Sequence, residues 1–240
     1  MHGFIILHGK HSGPNKPNDP SRVLYQNLSQ KYPCDYSEYC WSLNRKFDST
    51  VEQSLEDIKH RVDKMKIDCN VDQVHLVGHS TGGNIAIRYA LEYNNVSSYV
   101  LLCPAHTVHN DTMRRVTNYS LKEAKKYLDQ NDNELKNFVI FDSGDIKSVQ
   151  LKPKEYISWF DPHGKCNMIT NCAKINKPIN VYVISGNLDR DQITLTDIKE
   201  ANIGTSLSKY EIINESHHMI PKVSSNHILK WVNELENNIK

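Results

Sequence analysis

The residues best suited to do chemistry lie in the segment GHSTG, at positions 78–82. A β-branched apolar run precedes this segment, and residues 85–90 follow it with helical spacing. A strand, a G-x-S-x-G segment and a helix, in that order, predict a nucleophile elbow. This tight turn lifts the Ser80 hydroxyl clear of the backbone at the N-terminus of a helix. The pattern therefore predicts that Ser80 is a nucleophile.

A serine hydroxyl is a weak nucleophile at neutral pH, so it needs a base that a third group orients. The sequence offers both partners, each just after an apolar strand-like run. Asp189 follows the run at 180–185 and a turn glycine, Gly186. The adjacent pair His217-His218 follows the run at 209–213. We predict Asp189 as the acid and favour His218 as the base.

Each of these assignments has competitors nearby. Asp191 is an alternative acid, although its position favours a role at the start of a helix. Glu215 precedes the histidine pair on the same loop and cannot easily face it. His217 is the alternative base, and otherwise packs or points to solvent. His79 and His8 are interpreted as structural, because histidines beside turns more often pack and form hydrogen bonds.

Acyl transfer develops a negative oxygen that preorganised backbone N–H groups stabilise. Thr81 directly follows the nucleophile at a helix N-terminus, so its N–H is the first predicted donor. The loop after the first strand contains His8-Gly9-Lys10, and we predict the Lys10 N–H as the second donor. These two groups would form the oxyanion hole.

Strands and helices must place these residues at one edge of a sheet. They alternate through the first hundred residues, with predicted strands at 4–7, 35–40, 74–77 and 99–103 and a helix that begins with the capping box Ser49-x-x-Glu52. Residues 104–177 are polar and irregular, with helices predicted from Ser120 and from 133–138. The sequence thus predicts one domain over residues 1–240, a mostly parallel α/β sheet flanked by helices. A helical lid at about 104–177 would precede the acid-bearing strand.

Composition excludes several other classes of protein. The 240 residues carry a formal net charge of +1 with dispersed Lys and Arg, which indicates neither nucleic acid nor an anionic membrane as a partner. The six cysteines show no C-x-x-C pair, so we expect free thiols and no metal site. The apolar run at 4–7 is far too short for a signal core or membrane span. We expect a cytoplasmic protein with no cofactor and no protein partner.

With these motifs in place, the chain resembles the α/β-hydrolase superfamily from end to end, and more narrowly a group of small bacterial hydrolases. The carrying segments are LHGKHSGP (7–14), WSLNRKFD (41–48), GHSTGG (78–83), LLCPAH (101–106) and YISWFDPHGKCNM (156–168). Ala105 stands where that group usually has glycine. The resemblance implies Asp189 as the acid and His218 as the base. It also implies that the chain begins at the fold's third strand, without the usual N-terminal hairpin.

The expected activity is that of a carboxylesterase-like serine hydrolase on carboxylic esters or thioesters of small to medium acyl groups. Trp41, Trp159 and Phe160 are candidate pocket residues, and the equally weighted alternative is that they pack the lid onto the sheet. Other chemistry on the same triad, namely acyl transfer or cleavage of C–C or peptide bonds, remains an alternative. A non-catalytic binding module is a further alternative, which the complete set of Ser, Asp and His disfavours.

Overall fold

The structure of the protein, a computed structural model, describes residues 1–105, 108, 111–142, 145–189 and 195–239. Its strands are β1 (His2–Leu7), β2 (Cys34–Asp35), β3 (Gln73–His79), β4 (Ser98–Leu102), β5 (Lys136–Asp142), β6 (Asp145–Leu151), β7 (Val181–Gly186) and β8 (Lys209–Ile213). Six of these strands form a parallel sheet in the order β2-β1-β3-β4-β7-β8. This arrangement confirms the predicted fold class.

Helices cover both faces of the sheet. They are α1 (Pro20–Leu28), α2 (Val51–Asp68), α3 (Thr81–Glu92), α4 (Asp111–Asp129), α5 (Pro153–Phe160), α6 (Met168–Lys174), α7 (Leu195–Glu200), α8 (Ile220–Val223) and α9 (Ser225–Ile239). Phe4 of β1 packs in the core beneath α1 and α9, whereas the next residue, Ile5, packs beneath α2 and α3. Burial on both faces explains the continuous apolar runs of the strands. Within the described residues, no helix is both long and apolar enough to span a membrane.

The capping box of α2 differs from the prediction by one residue. Thr50, rather than Ser49, is the N-cap, and its hydroxyl accepts the Gln53 N–H at 3.3 Å. The Gln53 side chain accepts the Thr50 N–H in return at 2.9 Å. Two overlapping capping patterns occur at 49–52 and 50–53, and Thr50 is the buried one. Tertiary packing therefore selects between two locally equivalent caps.

The second strand is shorter than predicted. The sequence indicated a strand at 35–40, but β2 pairs with β1 only at Cys34 and Asp35. The chain then leaves the sheet edge, and Tyr39 and Trp41 turn into the core with stacked rings. Cys40 between them is buried as well, so all three residues belong to a loop that packs on the sheet.

The residues between β4 and β7 are not purely helical, which corrects the predicted helical lid. They include α4, α5 and α6, but β5 and β6 form an antiparallel hairpin between them. The helix predicted to start within 133–138 is wrong, because Lys136 begins β5. Inward-facing Phe138 and Ile140 alternate with more exposed neighbours, a short period-two pattern inside polar sequence.

The helix predicted from Ser120 also begins earlier, at Asp111. Ser120 lies inside α4, where its hydroxyl accepts the Val139 N–H of β5 at 2.9 Å. The serine that resembled a cap therefore joins the helix to the hairpin. The side-chain contact crosses between elements, which a pattern within one segment does not reveal.

Candidate active site

Ser80 occupies a strained turn between β3 and α3. Its φ of 53° and ψ of −119° lie where side-chain-bearing residues are rarely found. The flanking glycines are sterically required: a Cβ on Gly82 would lie 2.1 Å from the Leu7 carbonyl oxygen, and one on Gly78 would lie 2.4 Å from the Gly82 oxygen. The Ser80 N–H donates to the Leu102 carbonyl of β4 at 2.9 Å. The turn thus holds the serine at the carboxyl edge of the sheet.

Asp189 and a histidine meet beside this edge. Asp189 follows β7 after a turn that needs Gly186, since a Cβ there would lie 2.1 Å from the Glu215 oxygen. The Asp189 Oδ2 atom lies 2.7 Å from Nδ1 of His217. The Asp189 side chain is 5% exposed, so the carboxylate is a shielded acceptor for the Nδ1–H of His217. A neutral His217 in this tautomer has a free lone pair on Nε2, as a general base requires.

The histidine beside Asp189 is His217, whereas the sequence analysis favoured His218. The His218 ring stands edge-on to that of His217, with centroids 5.4 Å apart. Burial, followed by the charges of His217 and Lys16, lowers the pKa of His218. Both histidines lie in one turn, and neighbours in a turn present their side chains in different directions. The competing acid Asp191 lies outside the described residues.

His79 connects the histidine loop to the elbow. Its Nε2 lies 3.1 Å from the His217 carbonyl oxygen, and the two rings are 4.8 Å apart. Burial, and then the charges of His217 and His218, hold the pKa of His79 well below its usual range. His79 is therefore neutral and donates its Nε2–H to that carbonyl. Because His79 adjoins Ser80 in the chain, this bond brings His217 next to the elbow.

The loop after β1 lies against the nucleophile. A Cβ on Gly9 would lie 3.3 Å from the Ser80 Cβ, which shows how closely the two backbones approach. His8 is buried and its Nδ1–H donates to the Gly9 oxygen at 2.8 Å, while the Trp41 indole donates to the His8 oxygen at 2.8 Å. The predicted oxyanion donors, the N–H groups of Lys10 and Thr81, have no acceptor within the part of the chain described.

Comparison with known proteins supports the fold. The family model described as "Serine aminopeptidase, S33" matches residues 44–153, which contain the elbow. No curated protein sequence matches the chain. Similar solved structures include DcsB in complex with a substrate analogue, with a TM-score of 0.67, 13% identity and coverage of 97% of this chain and 88% of that chain. The chain has the α/β-hydrolase fold, and the family match over residues 44–153 supports the α/β-hydrolase superfamily.

Two further solved structures match nearly all of this chain. The monoacylglycerol lipase of Paleococcus ferrophilus has a TM-score of 0.64, 14% identity and coverage of 97% of this chain and 93% of that chain. Est1E from Butyrivibrio proteoclasticus, with bound ferulic acid, has a TM-score of 0.60, 15% identity and coverage of 97% and 90%. Together with the family match, these structures support the predicted superfamily and enzyme class. At these identities the likeness establishes the fold, while the family match ends before Asp189 and His217.

The three candidate pocket residues are buried in the core of the structure. Trp41, Trp159 and Phe160 are fully buried, and Phe47 packs edge-on against both Trp159 and Phe160. The Trp159 indole donates to the Ser49 oxygen at 2.7 Å. Their rings join the residues after β4 to the sheet, which favours the packing alternative over a role in a substrate pocket.

Cys103 is a site neighbour that sequence reasoning missed. It follows β4 with a φ of 44°, is buried, and has its thiol beside Asp189. Burial, and then the Asp189 charge, raise the pKa of the Cys103 thiol, so it remains protonated. Ligand atoms of Cys103, Asp189 and His217 lie within 4.8 Å of one another. At 2.7 Å, however, the Asp189 and His217 atoms are hydrogen bonded, which fits an acid–base pair.

Proposed function

We propose that the protein is a serine hydrolase that cleaves carboxylic esters or thioesters of small to medium acyl groups through an acyl-enzyme. The observation that carries the proposal is the 2.7 Å bond between Asp189 and His217, on a loop tied to the Ser80 elbow through His79. Ester-cleaving neighbours support the substrate class, namely a monoacylglycerol lipase and two lipolytic enzymes, LipS and LipT.

In the proposed reaction, Ser80 Oγ attacks the acyl carbonyl while Nε2 of His217 takes the hydroxyl proton. The oxyanion accepts hydrogen bonds from the N–H groups of Lys10 and Thr81. Collapse of the tetrahedral intermediate breaks the bond to the leaving alcohol or thiol, which receives the proton from His217. Asp189 stays ionised throughout and stabilises the imidazolium. Water, deprotonated by His217, then attacks the acyl-enzyme and releases the acid, so no cofactor enters the reaction.

Labelling with a fluorophosphonate probe tests the nucleophile. Wild-type protein should react, and Ser80→Ala should lose labelling and at least about 10⁴-fold in kcat/KM for p-nitrophenyl esters. Ser29→Ala, an exposed serine at the end of α1, is the matched control and should label like wild type. Undiminished labelling of Ser80→Ala would refute the assignment. A series of esters and thioesters from acetyl to decanoyl then defines the acyl preference.

Peptide-bond cleavage is the second candidate, because the family match carries the description of a serine aminopeptidase. Aminoacyl p-nitroanilides distinguish the two reactions. We expect kcat/KM for an acyl ester to exceed that for any of these amides. A clear preference for the amides would instead assign the protein to the peptidases. Added alcohols and thiols would reveal acyl transfer if they compete with water for the acyl-enzyme.

A further inference from the structure

Asp142 ends β5, yet its carboxylate binds cations from two distant parts of the chain. Its Oδ1 lies 2.6 Å from Nζ of Lys10, and its Oδ2 lies 2.8 Å from Nζ of Lys147. His11 places Nδ1 3.6 Å from Oδ2. Lys10 Nζ also donates to the Phe141 oxygen at 3.3 Å. The side chains of Lys10 and Asp142 are only 16% and 7% exposed, so water screens their ion pair weakly.

The charge on this carboxylate is strongly favoured. The neighbouring His11 ring, followed by the hydrogen bond and charge of Lys10 and the hydrogen bond of Lys147, holds the pKa of Asp142 well below its usual range, although burial opposes the shift. The carboxylate is therefore ionised at neutral pH. Lys10 has a constant anionic partner that belongs to the hairpin of β5 and β6.

The other side of the Lys10 loop is held by the sheet. The His11 N–H donates to the Trp41 oxygen at 2.9 Å, and the Trp41 indole binds the His8 oxygen. Gly9 lies between these anchors, and a Cβ placed on it would lie 3.3 Å from the Ser80 Cβ. Lys10 is thus the point at which the loop beside the nucleophile is attached to the hairpin. The Lys10 side chain is bound to Asp142, and its backbone N–H is the predicted second oxyanion donor.

We propose that Asp142 is a positioning residue for the oxyanion hole: by holding the Lys10 side chain, it fixes the Lys10 N–H that binds the oxyanion. The inference rests on the proposed function. On this proposal, the hairpin of β5 and β6 contributes a positioning residue, Asp142, to the catalytic site. Because the oxyanion exists only in the transition state and intermediates, misplacing this donor lowers kcat and leaves KM nearly unchanged.

Three variants test the inference: Asp142→Asn, Lys10→Met, and the two combined. Losing an oxyanion donor costs about 10²- to 10³-fold in kcat, so displacing one should cost roughly tenfold or more in Asp142→Asn. KM should change less than about twofold, and affinity for a trifluoromethyl ketone, whose adduct carries an oxyanion, should fall by the same factor as kcat. Because Asp142 acts through Lys10, the double variant should resemble Lys10→Met alone.

Asp145→Asn is the matched control, since Asp145 pairs with Asp142 across the same hairpin but is exposed. It should retain wild-type kcat. Unchanged kcat in Asp142→Asn, additive losses in the double variant, or an equal loss in Asp145→Asn would each overturn the inference.

Amide hydrogen exchange provides a readout that does not need turnover. In Asp142→Asn, exchange in residues 8–12 should accelerate at least about fivefold, while residues 81–92 of α3 keep their wild-type protection. Unchanged exchange in the loop would overturn the inference even if the protein cleaves no ester. Failure of wild-type Ser80 to label would refute the proposed function instead, so the two failures are distinguishable.

Discussion

At the scale of single residues, two adjacent histidines differ in chemistry because only one contacts the acid. His217 binds Asp189 through Nδ1, and its backbone oxygen is held by His79. His218 has the same intrinsic chemistry but lies edge-on to its neighbour. A histidine serves as a general base when an acceptor holds the N–H of one ring nitrogen and leaves the lone pair of the other available. Orientation therefore separates the two candidates, and the bond to Asp189 supports His217.

We expect alanine substitutions of the two histidines to lower the activity to very different extents. His217→Ala should lower kcat/KM for a p-nitrophenyl ester by about 10⁴-fold or more, because Ser80 loses its base. His218→Ala should cost less than about tenfold. Steady-state kinetics on both purified variants, with thermal unfolding as a check on folding, provides the measurement. If His218→Ala is the inactive variant, the base is His218, as the sequence alone favoured.

At the scale of elements, apolar continuity and glycine placement predicted the central strands and the turns that follow them. These signals work because many steric and burial requirements act within a few residues: a Cβ on Gly78, for example, would lie 2.4 Å from the oxygen of Gly82, four residues further on. Features that depend on contacts between separate elements were predicted poorly. The cap of α2, the start of α4 and the hairpin of β5 and β6 depend on contacts with other elements, such as the bond from Val139 to Ser120.

The α2 cap offers a direct test of this distinction. Thr50→Ala should lower the free energy of unfolding by about 1 kcal/mol, since the Gln53 N–H loses its acceptor at the helix end. Ser49→Ala, the control one residue away, should change stability by less than about 0.5 kcal/mol. Urea unfolding of both variants measures the difference. Greater destabilisation by Ser49→Ala would favour the capping box read from the sequence.

At the scale of the whole molecule, an aromatic cluster fastens the residues after β4 to the sheet. Trp41 and Phe47 come from the loop before α2, while Trp159 and Phe160 come from α5. Ring contacts with centroids 4.9 to 5.8 Å apart connect the two groups. The ion pair of Asp142 with Lys10 likewise connects a residue after β4 to a loop that precedes β3. The helices and hairpin therefore have a defined position relative to Ser80.

Replacing Trp159 distinguishes packing from substrate binding. Trp159→Phe should lower the free energy of unfolding by roughly 2 to 4 kcal/mol, since it removes buried volume and leaves the Ser49 oxygen without its donor. The ratio of kcat/KM values across an acyl-length series should stay as in wild type. Tyr119→Phe, an exposed position on α4, is the control for stability. A changed acyl preference with unchanged stability would return Trp159 to the pocket.

The sequence by itself determined the fold class, and it predicted Ser80, Asp189 and the order of the acid and base along the chain. These features are visible because strand burial, tight turns and helix starts impose patterns over short stretches. Only the tertiary structure decided that Asp189 meets His217, that Trp159 is core, and that Asp142 reaches Lys10. The contact between His79 and His217 joins residues 138 positions apart. Such contacts depend on how separate elements dock, which local residue patterns do not encode.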